Sequence, residues 1–209
     1  MKNSNFMNAL KSYIKNNYKE YILASLLFVI GIFVGVMIIN NSKENQISEI
    51  TEFINQFIEK YKGLENINQE GLVVTSIKQN LIFAFVLWLA GTTVIGMPIV
   101  LIIILLRGTI LGFTISSITV TLGLPKGILF CLISIVLHNI FYIPAILSIG
   151  VSSIKLYKSI IKDRRKDNIK FELIRHTIIF GLMIILLVLS AIIENVISAN
   201  LLKKFIKYF

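Results

Sequence analysis

Charge is the first scarcity in this chain. Asp, Glu, Lys and Arg make up 15% of its 209 residues, against about 25% in soluble domains, so water alone does not solvate its surface. Cysteine is scarcer still. Cys131 stands alone, which excludes an intrachain disulfide and any cysteine metal cluster. The only histidines, His138 and His176, lie far apart, and no second histidine or cysteine stands at ligand spacing from either. No metal and no cofactor is expected. GxSxG, HExxH, a phosphate-cradling glycine loop and paired aspartates within apolar runs are all missing. Without a nucleophile beside an activating base, no catalytic residue is assigned and the chain reads as a non-enzyme.

What the chain has instead is apolar length. The run 21–39, "YILASLLFVIGIFVGVMII", carries no charge, nor does 81–106. A helix needs roughly 20 apolar residues to cross a bilayer, and the alternating ten-residue strands of a membrane barrel are absent. The fold class is therefore all-α, a polytopic membrane protein of about five spans. The first run is too long for a signal-peptide core and "VMIINNSKEN" offers no small-x-small site, so it reads as an uncleaved span. The net charge of +10 gathers beside the spans, where membrane lipid and orientation account for it. No nucleic acid is implied.

The expected organisation runs as follows. A basic, cytoplasmic N-terminus (1–20) leads into the first span (21–39). An extracytoplasmic loop (40–80) then holds six of the eleven acids. Ile47, Ile50, Phe53, Ile54, Phe57, Ile58 and Tyr61 recur there at three- and four-residue spacing, which predicts an amphipathic helix over 45–62. A three-span core (81–153) follows, divided at about 81–105, 108–124 and 127–153, with a tight turn at "GLPKG". A basic cytoplasmic loop (154–176), the last span (177–199) and an interfacial tail (200–209) complete the chain. The positive-inside rule puts the N-terminus and the 154–176 loop on one side, and four intervening spans satisfy that.

Within 81–124 the only charge is Arg107. This arithmetic places it at the cytoplasmic turn between spans two and three, as a boundary residue whose side chain reaches the interface. Gly31 with Gly35, and Gly108 with Gly112, are GxxxG pairs. Such spacing serves close helix packing, in a homo-oligomer, within one chain or against partner helices. "GTTVIGMP" (91–98) interrupts span two with Gly91, Gly96 and Pro98. A packed kink is the preferred reading, and a broken helix lining a solute path the sharper one. His138 and Asn139 in mid-span, and Glu194 as the one acid within a span, are intramembrane polar groups and hence functional candidates.

Taken together, Asn80, "LWLAGTTVIGMPIVLIIILLRGTILGFT", "LHNIFYIPA" and "SAIIENVIS" resemble the stage II sporulation protein M family, over nearly the whole chain. The resemblance implies a five-span protein of the bacterial cytoplasmic membrane, needed when the mother cell engulfs the forespore. It also implies a non-catalytic anchor for two peptidoglycan-degrading partners, the stage II sporulation proteins D and P. Gly91, Gly96, Arg107, Gly108 and Gly112 fall on the family's glycine-rich pattern. Asn139 stands where broader relatives show glycine after the histidine. Since those partners work on the wall, Ile50, Phe53, Ile54, Phe57 and Ile58 are the expected docking face. The runner-up function is a small transporter using the break at 91–98.

Overall fold

The computed structural model describes residues 12–63, 69–93, 96–162 and 166–205, and all the regular structure among them is helical. Five helices are long and apolar enough to cross a membrane. We number the helices α1 (Tyr18–Asn40), α2 (Glu44–Gly63), α3 (Gln69–Thr92), α4 (Gly96–Leu122), α5 (Leu124–Cys131), α6 (Leu137–Lys162), α7 (Lys166–Ile192) and α8 (Ala199–Phe205). A π-helical turn, Leu132–Val136, fuses α5 to α6, and a second, Ile193–Ser198, fuses α7 to α8. The spans are thus α1, α3, α4, α5–α6 and α7 with its extension.

The largest departure from expectation lies in the middle of the chain. Helix α3 ends at Thr92 and α4 begins at Gly96, so Arg107 sits inside the continuous helix α4. The expected boundary at Arg107 is therefore wrong, as is a kink within one span. Local chemistry explains where the break falls. Thr92 and Thr93 hydroxyls donate to the carbonyls of Leu89 and Ala90, competing with the helical ladder. Pro98 occupies the first turn of α4, where an amide donor has no helical acceptor to lose. Gly96 allows the return, since a Cβ there would collide with the Ala90 carbonyl. Residues 69–80, expected in the outer loop, form the first turns of α3.

Two interlocked GxxxG pairs join α1 to α4. A Cβ on Gly31 would strike the Leu105 carbonyl, and one on Gly35 the Thr109 carbonyl. From the other side, Gly108 and Gly112 would strike the carbonyls of Phe28 and Ile32. The backbones touch where side chains are missing, so the four glycines serve packing within one chain. The register, 31 with 108 and 35 with 112, makes α1 and α4 parallel. One further span, α3, reverses direction between them.

The ends of the bundle differ. At one end Glu20 on α1 pairs with Lys158 on α6 at 2.6 Å, and Glu172 pairs with Arg175 on α7. Lys155 and Arg175 also flank the ring of Tyr13, at 5.6 and 5.8 Å from its centroid. We call this the basic end. At the far end Gly123, with φ of +78°, turns the chain from α4 into α5, and Pro125 lies in the first turn of that helix, as "GLPKG" predicts. Here α2 lies against the spans: Ile58 is buried with Ile118, Phe130, Cys131, Ile133 and Leu202, and Ile54 packs on the cluster. No more than 28% of any span's most apolar window is buried within the chain, so most of that apolar surface faces lipid or other helices.

Candidate intramembrane site

Arg107 lies about 16 Å along α4 from its start at the basic end and about 22 Å from its other end. It is a guanidinium at membrane depth. Phe83 covers one side, with Cζ 3.9 Å from the ring centroid, and Tyr142 lies at 5.3 Å. Rings on the faces of the guanidinium supply cation–π attraction and leave its N–H edge uncovered. Arg107 makes no ion pair among the described residues, where the pairs are Glu20–Lys158 and Glu172–Arg175.

Arg107 borders a cavity of about 270 Å³, walled by α1, α3, α4, α6 and both π-helical turns. Its polar lining is Arg107, His138, Asn139, Tyr142, Glu194 and Asn80, with Ser76, Gln79 and Thr114. Sequence reading named Arg107, His138, Asn139 and Glu194 separately; the fold brings all four to one space. Glu194 reaches the space from the second π-helical turn. Tyr142, 7% exposed, has a hydroxyl with no hydrogen-bond partner. His138 Nδ1 has none either. Its Nε2 lies 3.2 Å from the Asn139 amide nitrogen. That amide can only donate, so the proton of a neutral ring sits on Nδ1.

Both π-helical turns adjoin this cavity. His138 begins just past the first, and Glu194 lies within the second. In each, an asparagine donates to a carbonyl four residues earlier, Asn139 to Ile135 at 2.8 Å and Asn195 to Ala191 at 2.9 Å, supplying a donor where the helical register changes. Single π turns gather at functional sites because the extra residue re-aims its neighbours. Nothing in apolar periodicity reveals them. The available signal was an asparagine directly after a titratable residue within an apolar run, His138–Asn139 and Glu194–Asn195.

The other named residues lie elsewhere. Gly91 is buried at the basic end, where a Cβ would meet Ser153 and His176. Gly96 and Pro98 form the α3–α4 turn, so the break at 91–98 takes no part in the cavity wall. The expected docking face is split. Ile54 and Ile58 are spent on the bundle, because an amphipathic helix buries its apolar stripe on the nearest apolar surface. Phe53 and Phe57 remain exposed, at 71% and 45%. With Ile50 they edge an apolar groove of about 510 Å³ between α2 and the spans. Among the described residues, no three His, Cys, Asp or Glu side chains gather closely enough to hold a metal.

No curated protein and no solved structure gives a significant match to this sequence. The family model of the stage II sporulation protein M matches residues 24–199, from the first span through the second π-helical turn and thus across every glycine contact and the whole cavity. The chain belongs to the stage II sporulation protein M family and is a multi-pass membrane protein of sporulation.

Proposed function

We propose that this protein is a non-enzymatic membrane scaffold that recruits peptidoglycan hydrolases, the stage II sporulation proteins D and P, for septal wall remodelling and forespore engulfment. The basic end faces the cytoplasm, in keeping with the positive-inside rule, and the protein works from the mother cell's septal and engulfing membrane. The observation that supports the reading most is the posture of α2. This helix is fixed to the far end of the bundle through Ile54 and Ile58, yet holds Phe53 and Phe57 outward beside an apolar groove. Exposed aromatics beside such a groove are suited to anchor a protein partner.

Affinity capture from sporulating cells in mild detergent tests this. The wild-type chain should retain both hydrolases, and the Phe53→Glu, Phe57→Glu double variant should lose them while remaining in the membrane. Equal recovery with both would contradict the reading. The cavity around Arg107 supports a second reading, a small-solute permease, in which solute crosses through the His138–Glu194 layer. Solute flux into liposomes carrying the purified protein, lost on Glu194→Gln, would favour that reading over the scaffold.

A further inference from the structure

From the cavity geometry we infer a binding site for a small zwitterion, a neutral molecule of amino-acid size carrying one carboxylate and one ammonium group. Arg107 and Glu194 line the same cavity with opposite charges, and neither makes an ion pair with the other or any hydrogen bond among the described residues. Two charges at membrane depth with no ion pair are unfavourable. A lone anion would answer Arg107 and leave Glu194 uncompensated, and a lone cation would do the reverse. A zwitterion answers both without adding net charge.

The donors and acceptors are arranged for it. The guanidinium, with rings on its faces, keeps a planar fork of N–H groups that matches a carboxylate. Tyr142 lines the same space, and its ring keeps one side of the guanidinium covered. Glu194 accepts from the ammonium. The remaining walls, including Phe28, Ile110 and Ile146, take an aliphatic side chain. At about 270 Å³ the cavity is below the usual range for drug-sized ligands. It also lies at mid-span among helices, where membrane solute sites are built.

The test is thermal unfolding of the purified, detergent-solubilised chain, followed through its single tryptophan, Trp88, with added L-alanine, L-valine or L-leucine at about 10 mM. Two half-molecules of leucine serve as controls, 4-methylpentanoate without the ammonium and isopentylamine without the carboxylate. At least one amino acid should raise the midpoint by about 3–5 °C at tenfold excess over its Kd. Neither half-molecule should do so, and Arg107→Gln and Glu194→Gln should each abolish the shift. Because the half-molecules are compared on the wild-type chain, the result stands even if a variant fails to fold. No shift with any of the three amino acids would overturn the proposal and leave the two charges neutralised through water. Equal shifts with leucine and either half-molecule would overturn it too.

Discussion

His176 and His138 sit in the same bundle, about one half-membrane apart, and are treated oppositely by it. His176 is 1% exposed and fully engaged: Ser152 Oγ lies 2.8 Å from Nδ1, and the Trp88 carbonyl lies 3.4 Å from Nε2. A carbonyl can only accept, so Nε2 carries the proton and the serine donates to Nδ1. Three spans, α3, α6 and α7, are pinned by one neutral ring. Around His138 the same fold leaves the ring's Nδ1 and the Tyr142 hydroxyl without partners, in the wall of a cavity that Arg107 and Glu194 also line. A polar group in a membrane that is fully hydrogen-bonded explains itself as structure. One that is not, and that lines a space, calls for a ligand or water.

The frame shared by both layers is the α1–α4 seam, and breaking it has the largest expected effect. Gly112→Leu would drive a branched side chain into the Ile32 backbone, where nothing flexible can yield. The variant should fail to give a monodisperse peak in size-exclusion chromatography, whereas Gly181→Leu, at a site with open space around a Cβ, should behave as wild type. The contrast between the histidines is sharpened next. His176→Ala strands a buried serine and a carbonyl and leaves a hole, at a cost of about 2–3 kcal/mol, visible as a drop of roughly 5–10 °C in the unfolding midpoint. His138→Ala removes a ring that already lacks one partner and should cost less than about 1 kcal/mol. Equal losses in the two would erase the distinction.

The smallest expected effect is confined to alkali, at the basic end. Burial, then the neighbouring Tyr21, pushes the Tyr13 phenol up to about 12 from its ordinary value near 10. The folded chain therefore holds this proton longer than the unfolded chain does. The stability linked to it is present below pH of about 10 and is lost as pH rises through about 12. Unfolding midpoints measured up to that pH should fall less steeply in Tyr13→Phe than in wild type.

Much of this was legible in the sequence. Uninterrupted apolar length gave the class and the five spans, three- and four-residue spacing gave α2, and "GLPKG" gave its turn. Where the reading failed, it treated a charge as a boundary. Arg107 was assigned to a turn because a lone guanidinium in an apolar run is costly, yet Phe83 and Tyr142, each on a different helix, make mid-span tolerable for it. No local pattern announces a partner that distant. The true turn was written in "GTTVIGMP", whose threonines and proline were read as a distortion of one helix. The division of the apolar face of α2 was hidden for a related reason. Spacing identifies the apolar stripe of α2 but not which part the bundle claims, so Ile54 and Ile58 could not be told from Phe53 and Phe57. The cavity itself joins residues from six segments, which only the packing of the spans brings together.

Because the chain has two histidines, imidazole nitrogen resonances of ring-labelled protein in detergent would test the contrast most directly. One histidine should show the neutral Nε2–H pattern and stay unmoved by Arg107→Gln or Glu194→Gln, as His176 at the basic end requires. The other should shift with both substitutions, as His138 in the shared cavity requires. Two rings that respond alike, or a His176 resonance displaced by a change at Arg107, would contradict the separation of a structural layer from a binding layer.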